Sequence, residues 1–243
     1  MLDASPQSPP SAAEAPIVNA PRVVLLLIGL LIAVHLARVV AGEDIELWTL
    51  RMFAFIPAQV SGDLGEAWPL QRYWTFISYA FLHGNGMHLV FNSLWMLIFG
   101  SFVARRLPTG RFLLLSVITT AAAASAMLVS HWGEVVPVIG ASGAVSGYMA
   151  AAVPLMYGGN YSLGYAIRSD VRATRPLTFS ALVRNRGAIM FMAIWLVITL
   201  FTGAAGFDDG VLGVGQQVQI AWEAHIGGFL GGLAAFYVLD RKG

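Results

Sequence analysis

Cysteine is absent from the 243 residues of this chain. Its absence excludes disulfide bonds, a cysteine nucleophile and thiolate metal sites. Charged residues make up only 11% of the chain, whereas soluble domains carry roughly 25%. Together with 57% hydrophobic residues and a mean hydropathy of +0.71, this predicts a polytopic membrane protein. No basic patch with interleaved aromatic residues is present, so nucleic acid is not an expected partner.

The first 21 residues contain five of the eleven prolines. This composition, rich also in serine and alanine, is typical of a disordered segment. We therefore predict a disordered N-terminal tail over residues 1–21 and one helical membrane domain over residues 22–243.

Six apolar segments approach the ~20 residues that a transmembrane helix needs. They cover residues 22–41, 88–105, 111–131, 142–157, 187–203 and 222–240. The segments lack the alternation of a β-barrel, so the predicted fold class is an all-α membrane protein with a six-transmembrane-helix bundle. The short fourth and fifth segments fit helices that end in a protein-lined cavity.

The distribution of basic residues predicts the orientation of the bundle. Eleven of the fourteen basic residues fall on one side if the six segments alternate, and only Arg38, Arg51 and Arg72 fall on the other. Both termini are therefore predicted to be cytoplasmic. His88, Ser142 and His225 then all lie towards the outer face.

Ser142 begins the fourth segment and is flanked by Gly140, Gly143 and Gly147. The glycines clear side-chain bulk around the hydroxyl, and the unpaired N–H groups of a helix N-terminus favour a developing oxyanion. This pattern favours a nucleophile. The alternative is a simple helix N-cap, a common role of serine.

His225 lies near the outer end of the sixth segment, with Gly228 three residues and Gly232 seven residues further on. At this spacing the imidazole and the two glycines share one face of a helix. That face can approach the fourth helix closely and bring His225 to Ser142. The alternative is a structural histidine.

His83 precedes the second segment, and His88 and Asn92 lie one helical turn apart at its start. Near a serine nucleophile, His88 and Asn92 would suit an oxyanion hole. The alternatives are hydrogen bonding between helices and a metal site of His83, His88 and His225. No acidic residue stands at ligand spacing and the His-Glu-x-x-His motif is absent, so no metal is expected. His35, His131 and Ser146 are assigned structural roles.

Taken together, these motifs resemble those of the rhomboid family of intramembrane serine proteases, over roughly residues 22–240. The resemblance rests on residues 81–92 (FLHGNGMHLVFN), Gly140-Ala141-Ser142-Gly143, and Ala224-His225 followed by Gly228 and Gly232. Their order on segments two, four and six makes the match specific.

The resemblance implies that Ser142 is the nucleophile and His225 the general base of a dyad, since no acidic third member is evident. It implies that His88 and Asn92, with the Ser142 N–H, stabilise the oxyanion, and that His83 braces the first outer loop. No cofactor is implied. The substrates would be transmembrane or juxtamembrane segments of membrane proteins, cleaved in a bacterial inner membrane.

Two positions depart from the family pattern. Trp74 is followed by Thr75, where some members carry arginine, and Ser146 stands where some carry an aromatic residue against the histidine. These departures bear on rate and substrate preference. Two rival functions are an inactive rhomboid-like protein that binds membrane helices, and a small transporter, which would be expected to show an internal repeat or an intramembrane charge pair.

Overall fold

The computed structural model of the protein describes residues 20–62, 70–159, 171–205, 207–208, 217–218 and 221–241. The predicted disordered tail lies outside the described residues apart from residues 20 and 21. Most of the connection between the fifth and sixth segments also lies outside them.

Each of the six apolar segments carries a long helix. These helices are α1 (Arg22–Ala41), α5 (Gly86–Arg106), α6 (Thr109–Ser130), α7 (Ser142–Gly158), α9 (Arg186–Ala205) and α10 (Trp222–Leu239). Within the described part of the chain, three of them are long and apolar enough to cross a membrane on their own: α1, α5 and α6. Helix α9 contains a shorter apolar stretch, Arg186–Phe201. The architecture is a helical membrane bundle.

The connections contain the shorter elements. They are α2 (Glu43–Phe53), α3 (Pro57–Ser61), α4 (Gln71–Ser78), α8 (Phe179–Leu182), and the 3-10 turns Tyr79–Phe81 and Val171–Ala173. The two-residue strands β1 (Phe207–Asp208) and β2 (Gln217–Val218) pair antiparallel, with Phe207 opposite Val218. Helices α2 to α4 belong to the long connection between α1 and α5.

Helix α7 is the centre of the bundle. Every residue from Gly143 to Met156 is buried. A helix of 17 residues is long enough here because it is surrounded by protein and does not have to face lipid along its length. Pro154 lies inside it, and the Pro154 carbonyl accepts a 2.9 Å hydrogen bond from the N–H of Leu177. The connection that follows α7 is thereby folded back onto the helix.

Helix α10 lies against α7 and α6 through two glycine faces. A Cβ atom at Gly228 would overlap the backbone of Gly143, and one at Gly232 would overlap Gly147. The spacing of these glycines predicted this close approach to α7, and the prediction is confirmed. A second face, Gly227 and Gly231, contacts Ala122, Ala123 and Ala126 of α6; the sequence analysis did not single it out.

Helix α9 is less enclosed than the others. Its exposed side chains include Met190, Ile194, Val197 and Phe201. It contacts α10 through Trp195 and Phe229, whose rings are stacked with centroids 4.2 Å apart. The attachment of α9 to the bundle therefore rests on this aromatic pair and on the buried cluster of Ala188, Val153 and Leu182.

Candidate active site at the end of the central helix

Ser142 is the first residue of α7, as its sequence surroundings predicted. The N-cap position is occupied by Ala141, and no side chain caps the helix. The simple capping role considered for Ser142 is therefore wrong, and its hydroxyl is available for another purpose. Ser142 is partly exposed, whereas the residues that follow it are buried.

The segment that leads into Ser142 is held by backbone hydrogen bonds to the connection between α1 and α5. Val138 pairs with Phe55 through two bonds of 2.8 and 3.0 Å, and the Gly140 N–H donates to the Tyr79 carbonyl at 3.0 Å. The next N–H, that of Ala141, points to Nε2 of His83 at 3.5 Å. Fixing the backbone at three points immediately before Ser142 limits the positions that its side chain can reach.

His225 lies in the first turn of α10 and is partly exposed. The contact between Gly228 and Gly143 is one helical turn from His225 and one residue from Ser142. No bulky side chain separates the two backbones there, because both contacting residues are glycines. Ser142 and His225 thus sit at the same end of one tight helix–helix contact.

His88 lies over the backbone of Gly140. A Cβ atom at Gly140 would come within 2.6 Å of Cε1 and 2.7 Å of Nε2 of His88, and Gly140 has a φ of +115°. Both the conformation and the approach of the imidazole require glycine at this position. The His88 ring is also close enough to His225 to interact with it electrostatically.

Asn92 is buried one turn below His88. Its Nδ2 donates a 2.9 Å hydrogen bond to the carbonyl oxygen of His88. A carboxamide has two N–H donors, so this bond orients the group and uses one of them. In the turn that follows, Met96–Gly100, the helix widens to a π-helix, a distortion frequent at functional sites.

His83 is fully buried beside this group, with its ring edge-on to His88 at a centroid distance of 5.1 Å. Burial, followed by the proximity of His88 and His35, lowers the pKa of His83 to about 3. The ring is therefore neutral, as it must be for Nε2 to accept from Ala141. This geometry fits a brace for the segment that precedes Ser142.

Two residues near the site were not recognised as part of it from the sequence. Arg38 is 6% exposed, forms an ion pair with Glu46 and donates a 3.0 Å hydrogen bond to the His83 carbonyl. His35 lies close enough to His83 and His88 to interact electrostatically, and its buried Nδ1 makes no hydrogen bond with the described residues. An arginine in an apolar segment on the side with few basic residues was the available signal.

Glu223 forms a hydrogen bond with His131, away from Ser142 and His225. Nε2 of His131 lies 3.1 Å from Glu223, and Nδ1 lies 2.9 Å from Glu134. His131 follows the last residue of α6, so the contact ties the start of α10 to the segment after α6. Because its carboxylate is engaged by His131, Glu223 is not a third member beside Ser142 and His225.

The site therefore combines a hydroxyl at a helix N-terminus, an imidazole across a glycine contact, and further N–H donors from His88 and Asn92. These are the groups with which serine hydrolases carry out acyl transfer. Within the described residues, no three His, Asp or Glu side chains are grouped to hold a metal ion. The fold defines a helical membrane protein, and the candidate site at one end of its bundle contains the residue types that a serine hydrolase uses.

Comparison with known proteins agrees with this class. The family model described as "Rhomboid domain" matches residues 70–242, and the chain belongs to the rhomboid family. It is 29% identical over 198 residues to the rhomboid protease GlpG of Serratia proteamaculans strain 568, covering 77% of this chain and 59% of that protein. It is 27% identical over 188 residues to the rhomboid protease GlpG of Yersinia pestis strain Pestoides F, covering 74% and 56%. The chain thus spans less than two thirds of the length of these relatives.

Proposed function

We propose that this protein is an intramembrane serine endopeptidase that cleaves transmembrane or juxtamembrane segments of membrane proteins with a Ser142–His225 dyad. The observation that carries the proposal is the backbone contact between Gly143 and Gly228. It sets the helix that begins at Ser142 directly against the helix that carries His225. Membership of the rhomboid family and the names of the relatives support the same activity.

In the first half of the reaction, His225 accepts the proton of the Ser142 hydroxyl as the Ser142 oxygen attacks the scissile carbonyl carbon. The tetrahedral intermediate collapses, the C–N bond breaks, and His225 returns the proton to the leaving amine. In the second half, His225 takes a proton from the water that attacks the acyl carbon. The bond between the acyl carbon and the Ser142 oxygen then breaks, and His225 returns the proton to that oxygen as the carboxylic acid leaves. Apart from the substrate and the attacking water, all the groups used belong to the chain.

The oxyanion is stabilised by the Ser142 N–H and by the side chains of His88 and Asn92. The positive end of the α7 dipole adds to this because Ser142 opens the helix. Each donor aimed at the developing charge contributes about 3 kcal/mol to the transition state. The position of His88 over Gly140, two residues before Ser142, supports its assignment as a donor.

The six long helices span the membrane with both termini in the cytoplasm of a bacterium, and the site opens towards the outer side of the inner membrane. The excess of basic residues on the cytoplasmic side supports this orientation. Among the three exceptions, the charge of Arg38 is balanced by its ion pair with Glu46. A topology tag inserted after residue 170 should report a cytoplasmic location, and an outside location would overturn the orientation.

The substrate class follows from the depth of the site. A helix hides its carbonyl groups in hydrogen bonds, so a substrate helix must unwind before Ser142 attacks it, and glycine or proline in the substrate segment favours this. The less enclosed helix α9, attached through Trp195 and Phe229, is the side from which such a segment enters. A small residue before the cleaved bond is expected from the family.

A fluorophosphonate probe and a model transmembrane substrate test the proposal together. The parent should be labelled at Ser142 and should cleave the substrate, whereas Ser142→Ala and His225→Ala should do neither. Ser146→Ala is the matched control, because it removes a buried hydroxyl one turn further along the same helix and should leave both signals in place. A folded parent that binds the substrate but neither labels nor cleaves would identify the rival function, an inactive rhomboid-like binder of membrane helices.

A further inference from the structure

The first turn of α10, which carries His225, is weakly closed at its N-terminus. Its N-cap residue is Ala221, which has no side-chain oxygen to accept from the free N–H groups of that turn. The hydrogen bond from the His225 N–H to the Ala221 carbonyl is 3.4 Å long, whereas ordinary bonds of this kind measure about 2.9 Å. A helix start of this kind tends to fray unless another contact holds it.

A side-chain contact holds this turn from the neighbouring helix. The Glu223 carboxylate, in the same turn as His225, lies 3.1 Å from Nε2 of His131. His131 directly follows the last residue of α6. The side chains of His131 and Glu223 are only 26% and 14% exposed, and a hydrogen bond shielded from water is electrostatically stronger than one at an open surface.

His131 is a fixed partner for this contact. Its N–H donates to the Met127 carbonyl at 2.9 Å, and its carbonyl accepts from the Glu134 N–H at 3.0 Å. The Glu134 carboxylate lies 2.9 Å from Nδ1 of the ring, and the Glu134 carbonyl accepts a 3.0 Å bond from the N–H of Ala58 in α3. Because carboxylates only accept, both ring nitrogens donate and the ring in this contact is the charged imidazolium.

His225 therefore lies between two attachments of α10. Glu223 stands two residues before it, and Gly228, three residues after it, contacts the backbone of Gly143. A short piece of helix attached on both sides has little freedom to shift or rotate, so the imidazole keeps its place relative to Ser142. This matters for catalysis because a displacement of about 1 Å in a reacting group can cost on the order of 100-fold in rate.

We propose that Glu223 and His131 are positioning residues, which set the imidazole of His225 relative to Ser142 by holding the first turn of α10. Both act through the α10 backbone and not by contact with the reacting atoms. The inference rests on the proposed Ser142–His225 dyad. It assigns Glu223 a role other than the acidic third member of a triad, which would contact His225 itself.

The test measures, at one fixed pH, the rate of fluorophosphonate labelling of the full-length protein in detergent, together with the thermal unfolding midpoint. Labelling needs Ser142 and His225 but no substrate helix, so its rate depends on their relative position. The variants are Glu223→Ala, His131→Ala, the double variant, and Glu223→Gln, which keeps an oxygen that can accept from His131. Glu43→Ala is the matched control, since it removes an exposed acidic residue from the first turn of α2.

Glu223→Ala and His131→Ala should each slow labelling of the folded protein by about ten-fold. On a model transmembrane substrate, kcat should fall with little change in KM. The double variant should be no slower than either single one, because both substitutions remove the same contact. Glu223→Gln should regain most of the parent rate, and Glu43→Ala should match the parent.

A folded Glu223→Ala protein labelled at the parent rate, with only its midpoint lowered, would overturn the positioning role. Opposite changes of rate in the two single variants would overturn it too. Loss of Glu223 leaves a positive charge near His225 and loss of His131 leaves a negative one, so an effect of charge alone reverses its sign between them.

His131→Ala leaves the α10 sequence intact, so the inference is still tested if Glu223→Ala unfolds. A parent that is not labelled would overturn the Ser142–His225 dyad, and this inference with it. That result is distinct from a labelled parent whose variants are labelled equally fast, which would overturn this inference alone.

Discussion

The Nη1 atom of Arg38 donates a 3.0 Å hydrogen bond to the carbonyl oxygen of His83, 45 positions further along the chain. Arg38 belongs to the last turn of α1, and His83 supplies the ring that faces the N–H of Ala141. A path of direct contacts therefore runs from Glu46 through Arg38 and His83 to the residue that precedes Ser142. We expect Arg38 to be a positioning residue, which acts on the candidate site through His83.

Arg38→Gln should lower both stability and turnover. The substitution breaks the ion pair with Glu46, and we expect a loss of roughly 1–3 kcal/mol, less than for a fully buried pair because Glu46 is one-third exposed. Turnover per folded molecule should also fall, since the His83 carbonyl loses its anchor. Arg51→Gln, an exposed arginine in α2, is the control, and turnover of folded Arg38→Gln equal to that of Arg51→Gln would show that the contact is structural only.

Gly228→Ala should unfold or strongly destabilise the protein. Even one methyl group would overlap the backbone of Gly143, and backbone atoms at a helix contact cannot move aside as a flexible side chain can. Gly29→Ala is the matched control because a Cβ atom there meets nothing within 4 Å, and replacing a helical glycine by alanine stabilises by roughly 0.5–1 kcal/mol. Thermal unfolding of the two variants measures the contrast, and a Gly228→Ala protein as stable as the parent would contradict the helix contact.

The Asn92→Ala variant distinguishes two roles of Asn92, as a hydrogen-bond donor to the oxyanion and as a purely structural side chain that stabilises the helix. If Asn92 donates to the oxyanion, kcat should fall by roughly ten- to a thousand-fold with little change in KM. If its bond to the His88 carbonyl is its whole role, the unfolding midpoint should drop while kcat per folded molecule is unchanged. His88→Ala should follow Asn92→Ala in kcat, and Ser93→Ala, which removes a neighbouring buried hydroxyl without a described hydrogen-bond partner, should change neither quantity.

His131→Gln should cost more stability in acid than in alkaline solution. Hydrogen bonds to Glu134 and then to Glu223 raise the pKa of His131 above its ordinary value of 6.5. Because the folded pKa is the higher one, the stabilisation is fully present below about pH 6.5 and is lost as the pH rises through the folded value. The difference in unfolding free energy between parent and variant, measured from pH 5.5 to 9, should therefore shrink with increasing pH.

The pKa of His83 is shifted in the opposite direction, and this shift does not disturb the comparison of the parent with His131→Gln. The pKa of His83 is lowered to about 3, so its contribution is present above pH 6.5 and is lost as the pH falls. This loss of stability affects the parent and His131→Gln equally and cancels in the difference between their unfolding free energies.

Glu134→Gln removes the largest cause of the raised His131 pKa, and it should move the pH dependence of that difference to lower pH. A difference that stays constant over the whole range would show that His131 does not change its charge in this contact.

Periodicity and spacing in the sequence were enough to predict the helices and one helix contact. The six apolar runs define the long helices, and Gly143, Gly147, Gly228 and Gly232 recur at intervals that place each pair on one face. These are local features, so a single sequence carries them. The sequence did not predict Ala141 as the N-cap, because serine is a far commoner cap than alanine. The tertiary placement of residues 138–141 overrides that preference.

The long-range polar contacts could not be predicted in this way. Arg38 and His83 are far apart in the chain, and no sequence periodicity relates the two positions, so their contact could not be predicted. The same holds for Arg106 and Asp240, which are 134 positions apart. The second glycine face of α10 was missed for a different reason: Gly227 and Gly231 look like further members of one glycine-rich run until α6 is placed beside them.

The glycine contacts also bear on how the protein enters the membrane. The glycines that allow α10 to contact α6 and α7 lower the hydropathy of α10. Among the described helices, α10 is not one of those apolar enough to cross a membrane alone. The three that are, α1, α5 and α6, all come earlier in the chain. Helix α6, which carries Ala122 and Ala126, is synthesised before α10, so we expect α10 to join the bundle by backbone contact with a helix that is already made.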